Sequence, residues 1–271
     1  MSNLLYKSRN ITKNSIDILQ DINFENSPMK YTAVKTLKLL KGSNFKNNTQ
    51  GVELCIVVLT GKVTVKEGDN VFKNIGKRNS VFDKKPTDSV YISNGKKFAI
   101  EAETDCKVLL CYAKSDDDRP TTLIKASDNT IENRGKYMNK RLVHNILPDN
   151  SDISQSLLVV EVFTDSANWS SYPPHKHDEN NLPYETNLEE IYYHEIDKSQ
   201  GFVFQRIYTD DRLIDETMAV ENGDCVCAPK GYHPVGVPDG YNSYYLNVMA
   251  GPIKKWVFHN DPDHEWILDR R

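Results

Sequence analysis

Short runs rich in Val, Ile, Tyr and Phe alternate along the chain with clusters of Gly, Asn, Asp and Pro. The runs include VELCIVVLTGKVTV, SVYIS, KFAIEAE, KVLLCYA, SLLVVEVF, EIYYHEI, GFVFQRIYT, CVCAP and YYLNVMAG. β-Branched and aromatic residues suit a pleated surface, and the intervening residue types set turns. Such runs, recurring about every ten residues, predict an all-β sandwich or barrel. Only DILQDINF reads as a short turn of helix.

The runs fall into two groups, from Val34 to Ala113 and from Leu157 to Phe258. The polar stretch KSDDDRPTTLIKASDNTIENRGKYMNKRLVHNILPDNSD separates them and reads as a connector. This organisation predicts two similar β-barrels, an N-terminal one over 1–143 and a C-terminal one over 144–271. A turn followed by a strand in both groups hints at duplication.

Composition narrows the function classes. The chain is 38% hydrophobic and 27% charged, ordinary for a globular protein. A net charge of −4 leaves no basic footprint for nucleic acid. MSNLLYKSRNITKNS lacks the apolar run of a secretion signal, and nowhere do about eighteen apolar residues run together, so no membrane span is expected. Five cysteines, an odd count, suggest reduced thiols in the cytoplasm. Cys225 and Cys227 lie among Val226, Ala228 and Pro229, where a thiol behaves as a small buried hydrophobe rather than a ligand.

The histidines are placed unevenly. All seven lie at or after His144, so a histidine-rich site belongs to the second barrel. In YPPHKHDE, His175 and His177 are two residues apart. A strand has a period of two, so both imidazoles face one side. EEIYYHEI adds Glu189 or Glu190, and ENGDCVCAPKGYHPVGVP brings His233 behind a Gly-Asp turn and a Pro-x-Gly turn. Three imidazoles and a carboxylate suit one divalent ion such as Zn²⁺ or Mn²⁺.

The series His175-x-His177, Glu190, Gly201, Gly223, Pro229, Gly231 and His233 resembles the two cupin motifs. It departs in a longer gap between His177 and Glu190 and a shorter one between Gly231 and His233. The motifs SSYPPHKHD, LEEIYYH, GFVFQRIYTDDR, DETMAVENGD, PKGYHPVGVPDGYNSYYLNVMAGP and FHNDPDHEW, with GKRNSVFDKKPTDSVYIS in the first half, are similar to the 5-deoxy-glucuronate isomerase family of myo-inositol catabolism. That resemblance implies a bicupin of two jelly-roll barrels, and a metal on His175, His177, Glu190 and His233, with Glu189 the alternative carboxylate. It implies an aldose–ketose interconversion of 5-deoxy-D-glucuronate and 2-deoxy-5-keto-D-gluconate. A divalent ion then acts as a Lewis acid, and hydrogen moves through a base or as a hydride.

An acidic sugar needs an anchor for its carboxylate. Arg206 in FQRIY is the first candidate because a guanidinium fork matches a carboxylate; Lys230 is the second. Tyr193, Tyr208, Tyr232, Tyr244 and Tyr245 offer hydroxyl partners, Tyr208 and Tyr245 foremost, and the cupin resemblance implies that Asn247 lines the cavity. His194, four residues after Glu190 and on its face, and Tyr193 are the acid–base candidates. His259 and His264 read as a C-terminal loop able to close over a site, and His144 as structural. Alternatives are an isomerase of 5-keto-4-deoxyuronate, a metal-dependent cupin dioxygenase and a non-catalytic sugar-binding cupin. A homo-oligomer is compatible with all of them.

Overall fold

A computed structural model describes residues 4–13 and 15–270. It is built almost entirely of antiparallel strands, with four short 3₁₀ turns among the described residues. Each half pairs a seven-stranded sheet with a four-stranded one. The larger sheet of the first half runs, in space, Thr122–Ile124, Ser89–Ile92, Val52–Thr60, Cys106–Lys114, Thr32–Leu39, Ile16–Ile22, Ile11–Lys13. That of the second runs Leu5–Tyr6, Cys225–Ala228, Glu189–Ile196, Ser243–Ala250, Leu158–Thr164, Arg141–Leu147, Thr130–Arg134.

The strand orders correspond, and the edge strands are exchanged. Leu5–Tyr6 precedes the first half yet pairs with Cys225–Ala228. Thr122–Ile124 precedes the second half yet pairs with Ser89–Ile92. The boundary expected at 143/144 therefore moves: the chain passes between sheets at 125–129, and Thr130–Arg134 with Arg141–Leu147 forms a hairpin of the second sheet. The connector looks polar because this hairpin lies at a sheet edge, where the outer strand has little to bury.

DILQDINF is a strand, Ile16–Ile22, not a helical turn. Its ladder to Thr32–Leu39 shifts register between Ile18 and Gln20. Such a one-residue shift moves following side chains to the other face. Ile16 and Ile18 accordingly pack inside the first barrel, and Ile22 packs in the layer between the barrels. The long-range ladder overrides the local pattern.

Three apolar clusters organise the interior. One fills the first barrel with side chains such as Leu54, Ile56, Val58 and Leu110. A second fills much of the other barrel. The third lies between the two large sheets and joins Cys55, Val57 and Leu109 to Ile191, Tyr193, Cys225, Cys227 and Val248. Strands in these sheets are covered on both faces, which is why VELCIVVLT and SLLVVEVF are nearly continuous apolar runs rather than alternating ones. All five cysteines are free and buried, and burial pushes the Cys225 and Cys227 thiols up.

Candidate metal centre

The strand Glu189–Ile196 decides which residues meet. Its period of two sends Glu190, Tyr192 and His194 into the second barrel and Glu189, Ile191, Tyr193 and Glu195 toward the first half. His177 enters from the segment after Pro174, and His233 from the turn after Gly231. The metal-binding atoms offered by His175, His177 and His233 lie within 4.8 Å of one another. Glu190 Oε2 lies 3.3 Å from both His177 Nε2 and His233 Nε2.

The outer ring nitrogens are already committed. His177 Nδ1 donates to Leu188 O at 2.7 Å, and His233 Nδ1 donates to Gly231 O at 2.8 Å. A carbonyl only accepts, so each Nε2 keeps its lone pair, and a backbone partner of this kind orients a metal-binding imidazole. His177 Nε2, His233 Nε2 and Glu190 Oε1 are buried with no hydrogen-bond partner. Orphaned buried polar atoms are expensive, and these three, converging with the His175 ring, fit a divalent cation. Burial drives His175 well below its ordinary value and His233 to about 4. Burial pulls His177 the same way, but the Glu190 carboxylate prevails and raises it.

Local structure explains the departures from the cupin spacing. The residues between His177 and Glu190 form a short hairpin, Asp178–Asn181 with Glu185–Asn187. Lys176, buried, bonds both Asp178 and Glu185 at its base. Asp178 also accepts the Gly231 amide at 2.7 Å. Gly231 has φ +91, and a Cβ there would fall 2.6 Å from Tyr208 O, so only glycine seats His233 this way.

A cavity of about 580 Å³ opens at the centre. His175 forms part of its wall, facing Arg134, Arg141, Trp256 and Phe258. A smaller pocket of about 30 Å³, room for one water-sized occupant, continues inward past His175 to Glu190, Tyr192, Tyr245 and Asn247. The C-terminal segment supplies one wall: Phe258 lies against His175 with centroids 4.6 Å apart, and His259–Asn260 pairs with His175–Lys176. His259 itself is exposed, and His264 lies 4.0 Å from Asp261.

Tyr245 and Asn247 therefore lie at the pocket, but other candidates do not. Arg206 points outward and makes a two-pronged pair with Asp215 at 2.8 Å; its neighbour Gln205 is the inward residue. Lys230 is exposed and outside the cavity wall. Tyr208 shares the outer face with Arg206, donates to Asp261 at 2.6 Å and so ties down the C-terminal segment. Tyr193 has the wrong parity: it faces the other half and donates to Glu195 at 2.8 Å. Tyr244 faces the same layer and bonds Glu161. His194 has the right parity but lies beyond Tyr192, stacked at 5.8 Å and bonded to Gln205 at 2.9 Å. Burial pushes it down to about 4, and it does not line the pocket. Sequence reasoning missed Tyr192, although it lies between two residues of the same face, and missed Arg134 and Arg141, hidden in the apparent connector.

Two barrels in tandem with one imidazole–carboxylate cluster inside the second define a bicupin. The sequence pattern of the KduI/IolB family matches residues 4–267, and the chain belongs to that family. It is 60% identical over 271 residues, all of both chains, to the 5-deoxy-glucuronate isomerase of Bacillus licheniformis. It is 63% identical over 256 residues, 94% of each, to that of Listeria monocytogenes. The crystal structure of an IolB-like protein from Salmonella typhimurium superposes with a TM-score of 0.94 at 43% identity, over 98% of this chain and 100% of that one. Oxalate decarboxylase from Lactobacillus farciminis shares the fold, with a TM-score of 0.71 at 13% identity over 100% of this chain and 91% of that one. The chain is an isomerase.

Proposed function

We propose that the enzyme interconverts 5-deoxy-D-glucuronate and 2-deoxy-5-keto-D-gluconate in myo-inositol catabolism, aided by one divalent ion, Zn²⁺ or Mn²⁺. The observation that carries this reading is the convergence of His175, His177, His233 and Glu190 at a cavity, with unpartnered ligand atoms on His177, His233 and Glu190. These four residues would hold the ion, which supplies Lewis-acid stabilisation of negative charge on the reacting oxygens.

The remaining residues suit an aldose–ketose shift. Tyr192, whose hydroxyl is 3.1 Å from Ser171 Oγ, is held far above its ordinary value by burial and by the charge of Glu190. Its hydroxyl would donate a hydrogen bond to an oxygen gaining charge. Tyr245 and Asn247 are placed for sugar hydroxyls. Trp256 and Phe258 give the cavity an apolar wall. Five unpaired cysteines fit a cytoplasmic setting; among the described residues no helix is long and apolar enough to cross a membrane.

The test is an NMR assay of turnover with 5-deoxy-D-glucuronate and 5-keto-4-deoxyuronate side by side. Conversion of the first and not the second supports the proposal. The reverse preference would transfer the enzyme to the pectin-derived substrate, and oxygen uptake without isomerisation would make it a dioxygenase.

A further inference from the structure

The large cavity is electrically one-sided. The chain as a whole has a net charge of −4, yet the cavity wall carries Arg134, Lys136, Arg141 and Arg270 and no acidic residue. Two of these cations are placed against each other. Arg134 and Arg141 are direct partners across the antiparallel hairpin that closes the second sheet. Like charges in that position repel. Glu132 compensates Arg134, accepting from its Nε at 2.8 Å, and the Arg134 guanidinium lies 5.5 Å from the Trp256 ring centre.

Arg141 has no such compensation. Its Nη1 donates to the carbonyl of Asn139 at 3.0 Å, and among the described residues it makes no ion pair. Like Arg134, it lines both the large cavity and the inner pocket that ends at Glu190, but without a carboxylate of its own. Elsewhere the chain matches arginines to carboxylates, as in Arg78 with Glu161, Arg119 with Asp117 and Arg206 with Asp215. A partly buried guanidinium facing another cation and a void is a place for an anion to bind with two-pronged geometry.

We propose that Arg141, with Arg134 opposite it, anchors the carboxylate of an acidic sugar on the cavity wall, and that Arg206 plays no part. This rests on the isomerase reading above and extends it. In 5-deoxy-D-glucuronate the carboxylate and the aldehyde are at opposite ends of the carbon chain. An anchor on the cavity wall, distinct from the imidazole–carboxylate cluster, would hold the carboxylate while the other end of the sugar meets that cluster. Arg141 is thus a substrate-binding residue that selects uronates over neutral sugars.

The experiment uses Arg141→Ala, Arg141→Gln and Arg141→Lys, with metal content and circular dichroism measured on each. Isomerisation of 5-deoxy-D-glucuronate is followed by NMR, and D-glucuronate and D-glucose are compared as competitors. KM is expected to rise roughly 10- to 100-fold in the Ala and Gln variants, with a smaller rise for Lys, and the preference for D-glucuronate over D-glucose is expected to vanish. Should Ala not fold, Gln, which keeps polar atoms without charge, decides. Folded, metal-replete variants with unchanged KM and unchanged preference would overturn the anchor. If the wild-type enzyme does not isomerise the substrate, the functional reading fails by itself. Calorimetric titration with D-glucuronate then settles the anchor: binding lost in Arg141→Gln sustains it, and no binding to wild type, or equal binding to both, overturns it.

Discussion

Glu53 and Glu189 occupy corresponding places in the two halves, and each reaches across to cap the other half. Glu189 accepts the consecutive amides of Lys30, Tyr31 and Thr32 at 2.8, 2.5 and 2.7 Å. Glu53 accepts those of Gln155, Ser156 and Leu157, each at 2.7 Å. Each caps the entry to a strand of the opposite large sheet, Glu189 that of Thr32–Leu39 and Glu53 that of Leu158–Thr164. The reciprocity, together with the exchanged edge strands, makes the halves mutually dependent. It also aligns them: with Glu53 set against Glu189, Leu54, Ile56 and Val58 fall where Glu190, Tyr192 and His194 stand.

Glu189→Gln is therefore a stability variant and Glu190→Gln a metal variant. A glutamine at 189 turns its amide NH2, a donor, toward backbone donors and removes a charge-assisted cap, costing about 2–3 kcal/mol in urea denaturation while leaving metal content unchanged. Glu190→Gln should lose most metal and activity with little loss of stability in the metal-free protein. The opposite result would move the ligand to Glu189.

His175→Ala and His233→Ala are expected to abolish metal binding and activity while far-UV circular dichroism stays native. Both barrels have their own apolar clusters, so the ion is one local cross-link. Added Zn²⁺ or Mn²⁺ should raise the Tm of wild type, because a ligand that binds only the folded state stabilises it, and should leave that of either variant unmoved. A variant with wild-type metal content and rate would refute the assignment.

Soaking crystals in Mn²⁺ should give one strong anomalous peak per chain, in the second barrel. In the first barrel the corresponding side chains Leu54, Ile56 and Val58 are aliphatic and fully buried. A peak of equal height there would contradict this.

The fully buried Arg78–Glu161 pair joins the halves, with Tyr244 donating to Glu161 at 2.8 Å and His144 Nδ1 3.5 Å from its second oxygen. Burial pushes Glu161 up, but the Arg78 charge outweighs it and brings the carboxyl to about 2. A depressed folded value means the stabilisation is fully present above the unfolded carboxyl value near 4.5 and fades as pH falls toward about 2. Arg78→Met should cost about 3–5 kcal/mol at neutral pH by stranding the carboxylate. Arg78→Met with Glu161→Gln should recover part of that and show a flatter acid limb. Identical acid unfolding of wild type and double variant would show that the pair does not set the limb.

Arg206→Ala should leave kcat and KM essentially unchanged. Its pair with Asp215 is exposed on both sides, and such pairs contribute about 0–1 kcal/mol to stability. A clear rise in KM would return the arginine to the site.

The runs of β-branched and aromatic residues and the turn residues between them by themselves determined that this chain is all-β, because strand formation and turn geometry are local. The spacing of His175 and His177, the Gly-bounded approach to His233 and the absence of histidine before His144 likewise marked where a histidine cluster able to hold a metal ion forms. Parity along EEIYYHEI was also legible in principle: it places Tyr192 with Glu190 and excludes Tyr193. What only the tertiary structure decided is which face of that strand meets the barrel interior. A strand buried on both sides carries apolar and polar residues on each, so Glu189 and Glu190 look alike until the other half supplies the amides of Lys30, Tyr31 and Thr32. Arg206 and Arg141 were decided in the same way. Both are arginines in strands, and only the packing of sheets turns one outward to Asp215 and the other into a cavity, since which side of a strand faces water depends on neighbours far away in sequence.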